Sequence, residues 1–131
     1  MTGRRLSYTE ALERWDTTAI RDALADDVVI HVAVHDEPMR GKQVAEFLFG
    51  VLQEELGAVS VTDEIIEDDK AVMLFETSIR DRTAQGLNVL RFDESRAVRE
   101  LTVFFRPLAS LALIAEVVGA RMAERFGPPP R

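Results

Sequence analysis

The spacing of hydrophobic residues switches between the helical and the strand period along this chain, and each switch marks an element. Tyr8, Ala11, Leu12, Trp15 and Ala19 recur at helical spacing, and Asp16 or Thr17 is placed to cap a second short helix carrying Ile20, Ala23 and Leu24. Asp26 and Asp27 end that segment, and residues 28–34 are rich enough in β-branched side chains to form a strand, interrupted by His31. Residues 35–41 read as a loop broken by Pro38 and Gly41. Val44, Phe47, Leu48, Val51 and Leu52 then fall at i, i+3, i+4, i+7 and i+8, the stripe of an amphipathic helix that Gly57 is placed to stop. From Ala58 onward the period becomes that of strands, over residues 58–67, 71–80, 87–92 and 100–106, separated by short polar turns. Four such strands in succession predict an antiparallel meander. Pro107 suits the first position of a final helix over 107–126, with Leu108, Leu111, Ala115, Val118 and Met122 on one face. Residues 127–131, GPPPR, cannot continue a helix and predict a flexible tail.

Residues 86–107, GLNVLRFDESRAVRELTVFFRP, say most about a binding site. Alternation places Leu90, Leu101, Val103 and Phe105 on one face of two adjacent strands, and Asn88 is the single polar residue on that face. A buried amide without a partner costs about 1–3 kcal/mol, so its presence on a greasy wall points to something that bonds it, either a ligand or, within the chain, Tyr8 or backbone. The opposite face would carry Val89, Arg91, Thr102, Phe104 and Arg106. An exposed Phe104 predicts that another copy of the chain covers it, giving a homodimer through the sheet face. Counting from Phe75 as inward sends Glu76 outward, whereas a slip of one residue would bring it inside as a carboxylate with a raised pKa.

Composition narrows the class. The chain has 131 residues, 47% of them hydrophobic, which suits one domain over 1–131 with a core over about 6–126. A net charge of −7 excludes a protein whose main task is to hold nucleic acid or an anionic membrane. There is no cysteine, hence no disulfide, thiol nucleophile or thiolate metal site. Neither a signal peptide nor a membrane-length apolar run is present, so a soluble, cytoplasmic protein is expected. His31 and His35 lack chelating neighbours, and no metal or other cofactor is implied.

The order of elements, helices, one strand, a covering helix, then a long meander, resembles the NTF2-like fold, an α+β cone in which helices wrap a curved antiparallel sheet. Residues 23–48, ALADDVVIHVAVHDEPMRGKQVAEFL, look like that family's "ADD" segment leading through a strand and a Pro/Gly loop into a helix. Residues 90–108, LRFDESRAVRELTVFFRPL, are similar to its "FD-x-x-G-x-I-x-E" hairpin, and the Arg106-Pro107 ending is similar to the SnoaL-like branch. The superfamily includes ketosteroid isomerases, limonene-epoxide hydrolases, polyketide cyclases and members without catalysis, so the fold alone does not name a reaction.

The resemblance implies a site that can be tested residue by residue. An isomerase of this fold needs a carboxylate base on the first strand, a tyrosine from the first helix and an acid on the final hairpin. These positions fall on Val32, Tyr8 and Asn88. Tyr8 and Asn88 can polarise an oxygen, but Val32 cannot abstract a proton. The Asp-Arg-Asp set of the epoxide hydrolases is missing as well, its last-strand position falling near Val103. His35 and Asp36, at the mouth of a cone, form a pair that could act as base and orienter, and Glu76 is the other candidate base. The expected ligand is small and apolar or carbonyl-containing, held by Tyr8 and Asn88 and walled by Val32, His35, Leu90, Leu101, Val103 and Phe105. Two functions are compatible with this set: acid–base chemistry on a carbonyl compound, and non-catalytic binding or dimerisation.

Overall fold

Helical spacing at the start of the chain becomes two short helices in the structure, a computed structural model that describes residues 6–34 and 36–127. Helix α1 spans Ser7–Arg14 and α2 spans Thr17–Ala23, with the left-handed Trp15 (φ 51°) between them. The Asp16 carboxylate caps α2 by accepting the Ala19 N–H at 3.0 Å. Strand β1, Leu24–His31, starts at Leu24 rather than Val28, so Asp26 and Asp27 lie within a strand and do not end a helix. The pairing of β1 shifts register between Leu24 and Val29, and both carboxylates remain exposed there.

The loop before the middle helix contains a short strand the periodicity did not reveal, β2, Met39–Arg40, paired antiparallel with β1. Helix α3 covers Lys42–Glu55, and the Gly57 N–H beyond its end bonds the Ser78 carbonyl at 2.9 Å. The meander follows as β3 (Ser60–Glu67), β4 (Lys70–Ile79), β5 (Arg82–Phe92) and β6 (Val98–Arg106), and α4 closes the chain over Leu108–Phe126.

All six strands form one curved, unclosed sheet in the order β2-β1-β6-β5-β4-β3. The pairs β3–β4, β4–β5 and β5–β6 are antiparallel, as the meander requires, but β1 lies parallel to β6, so the sheet is mixed. Registers define the inward rows. Ile30 pairs with Leu101, Leu101 with Leu90, Leu90 with Ala71, and all four side chains are buried. Phe75 lies across Gly86 on the neighbouring strand, where even a methyl group would collide with the ring, and its edge meets Phe105 at 5.9 Å. That close approach sets the position of Phe105.

Helix α4 buries Val118 and Met122 of the expected face, but at its start the inward positions are Ser110 and Ile114 and not Leu108, Leu111 and Ala115. Ser110, Ile114, Val118 and Met122 are buried, while Leu108 is 79% exposed. The Ser110 hydroxyl donates to the Thr83 carbonyl at 2.6 Å, and Ser110 lies on the same i, i+4 stripe as Ile114, Val118 and Met122. At its other end Arg121 pairs with Glu54 at 2.6 Å and Glu55 at 3.0 Å, tying α4 to α3. The expected tail, 127–131, lies outside the described residues apart from Gly127.

Candidate functional site

Where α3, α4 and the end of β6 diverge, a cavity of about 290 Å³ opens. Val103 and Phe105 form its sheet wall, because alternation from the buried Leu101 turns both inward. Val44, Leu48 and Leu52 face it from α3 at successive i+4 steps, and Ile114, Val118 and Met122 do the same from α4. Val32, Ala33 and Val34 after β1, with Pro38 and Met39, make the rim. Among the lining residues only Glu37 and Arg40 are ionisable, and both are exposed. Met39 pairs with the inward Ile30, so strand alternation places its side chain toward the cavity.

Tyr8 and Asn88 come together, but not on this lining. The Tyr8 hydroxyl donates to the Asn88 Oδ1 at 2.8 Å, and the two residues are 1% and 3% exposed. The Tyr8 ring packs edge-on against Phe49 at 6.1 Å, and burial pushes its phenol pKa well above the usual value near 10. The Asn88 amide nitrogen has no hydrogen-bond partner among the described residues. Asn88 sits directly across from Val103 in the β5–β6 register, so the polar pair is a neighbour of the sheet wall, although neither of its residues is on the cavity lining.

The other candidates divide in the same way. Val32, Val103 and Phe105 line the cavity. Leu90 and Leu101 do not, because they pair with each other in the fully buried part of the sheet, one step beyond Val103. His35 lies outside the described residues, and Asp36 is exposed and off the lining. Glu76 is exposed on the convex face, with Met73, Phe75, Thr77 and Ile79 buried on the other. His31 is also convex, its Nε2 lying 2.7 Å from Glu100, which Arg91 approaches at 3.8 Å. Among the described residues no group of three or more His, Asp or Glu is arranged to hold a metal ion, and no helix is long and apolar enough to cross a membrane.

Sequence reasoning missed the contribution of α4. Gly119, Ala123 and Phe126 line the cavity beside the buried stripe, a mixture of small and aromatic residues on one helix flank that was the available signal.

No protein-family model matches the chain, and no curated protein matches it either. Solved structures do. A steroid delta-isomerase from Pseudomonas aeruginosa superposes with a TM-score of 0.81 at 19% identity, covering 91% of this chain and 88% of its own. A bacterial protein with a cystatin-like fold from Silicibacter pomeroyi DSS-3 gives 0.82 at 16% identity, over 88% of this chain and 82% of its own. An NTF2-like protein from Cytophaga hutchinsonii gives 0.64 at 11% identity, over 82% and 96%.

The chain has the NTF2-like fold. Identities this low carry the architecture and leave the chemistry to the residues. In this NTF2-like cone the deep part is filled by Tyr8, Phe49 and the buried leucines, and the free space lies beside it, under α4.

Proposed function

We propose that the protein binds a small, neutral, mostly apolar molecule in the cavity between α3, α4 and β6, without transforming it. The observation that carries this reading is the cavity itself: its volume of about 290 Å³ stands at the lower end of the ~300–1,000 Å³ of small-molecule sites, and its walls are aliphatic and aromatic. A charged ligand group inside would meet no buried counter-charge, which favours a neutral occupant. Acid–base catalysis has less support. The Tyr8 hydroxyl already donates its hydrogen bond to Asn88, neither residue lines the cavity, and the position that would hold a base is Val32. The steroid delta-isomerase of similar shape therefore suggests a ligand of hydrocarbon character more than it suggests a reaction.

A second copy of the chain is proposed to cover the convex face. Leu74, Leu87 and Phe104 form one row across β4, β5 and β6, and Phe104 is 53% exposed.

The test uses N-phenyl-1-naphthylamine, a neutral probe whose fluorescence rises in apolar surroundings. Saturable enhancement is expected with the native protein, and a Val103→Trp variant, which fills the cavity from the sheet side, should bind about tenfold more weakly or worse. Native protein that fails to bind the probe, or a Trp variant that binds it equally well, overturns the assignment. Assayed on a steroid substrate, the native protein should show no isomerisation.

A further inference from the structure

We infer that Gly119 determines the specificity of this cavity: its missing side chain leaves room for a flat, neutral, ring-containing molecule to lie against the backbone of α4. The inference rests on the binding role proposed above and adds the shape of the ligand. Gly119 lies in the interior of a helix of 19 residues, where glycine is the least favourable residue after proline. A steric reason would excuse it, yet a Cβ built there meets no atom within 4 Å. Nor does positive φ require it, since among the described residues the glycines with positive φ are Gly41 and Gly127. Packing within the chain thus leaves this glycine unexplained. What Gly119 does have is a place on the cavity wall, to which Phe105 of β6 contributes an aromatic side chain. Exposed helix backbone is a surface that a planar ring can approach closely and that any side chain would hold away.

Gly50 is a built-in control. It too lies inside a helix, α3, and a Cβ there meets no atom within 4 Å, but it does not line the cavity. Alanine at either position should raise Tm by a few degrees through helix propensity alone. Binding should separate them. Gly119→Ala is expected to weaken N-phenyl-1-naphthylamine about tenfold, the order of effect of one methyl group in an apolar pocket, and Gly119→Leu to abolish it, while Gly50→Ala binds as the native protein does. Stability rising as affinity falls, at Gly119 alone, is the signature of a site kept open for a ligand. Native-like affinity in Gly119→Ala and Gly119→Leu would overturn this inference and leave the cavity as a binding site. Equal loss in Gly50→Ala would overturn it as well, by making the effect general to the fold. Absence of probe binding by the native protein would remove both this inference and the role beneath it.

Discussion

Tyr8 donates a hydroxyl hydrogen bond to an amide buried beside it, so neither group can be removed without leaving the other unpaired. Tyr8→Phe should destabilise the protein by about 1–3 kcal/mol in urea denaturation, and the double variant Tyr8→Phe, Asn88→Leu by less than the sum of the two single changes. An additive double variant would show that the bond contributes nothing as a pair. Alkaline pH offers an independent measurement. The unfolded phenol ionises near pH 10, whereas burial raises the folded value, so above about pH 10 the unfolded chain binds fewer protons and stability falls as pH rises. Tyr8 is the chain's one tyrosine, so phenolate absorbance reports it alone and should appear together with loss of circular dichroism. The amide was legible in the sequence because it breaks an otherwise apolar alternation. Its bond to Tyr8 was one of two alternatives, and only the approach of α1 to β5 decides between them.

At the scale of elements, local chemistry and tertiary anchoring contribute separately. The start of α2 depends on one side chain: Asp16→Ala should cost about 1 kcal/mol and lower Tm by a few degrees, while Asp16→Asn retains most of the cap. Calorimetry showing no difference between the two variants would refute that role. Such a cap is readable, since an Asp before a helical stripe has few other uses. The inward face of α4 was not readable in this way. Leu108 and Leu111 outweigh Ser110 on any hydrophobic scale, yet Ser110 is the buried residue, its hydroxyl bonded to the Thr83 carbonyl, a partner 27 residues away that periodicity does not reveal. Likewise β2 is too short for its period to register, and it exists because β1 offers an edge.

For the whole molecule, the curved sheet has two faces with different fates. The concave face is filled by α1 and by the core except beneath α4, where the cavity remains. The convex face keeps the row Leu74, Leu87, Phe104, beside His31 hydrogen-bonded to Glu100 and the Arg91 that approaches the same carboxylate. Native protein should sediment as a dimer and Phe104→Lys as a monomer with an unchanged circular dichroism spectrum; a monomeric native protein at micromolar concentration would remove the second copy from that face.

The amino-acid order by itself determined the succession of the longer elements, the antiparallel meander and the inward side of its last two strands, because periodicity acts over neighbouring residues and survives without knowledge of what packs against it. Three features needed the folded chain: the parallel joining of β1 to β6, the pairing of Tyr8 with Asn88, and the displacement of free space away from that pair. Each depends on residues far apart in sequence meeting at particular distances. Leu90 and Leu101 on one side and Val103 and Phe105 on the other share one alternation, yet only the placement of α4 makes the first pair core and the second pair a wall.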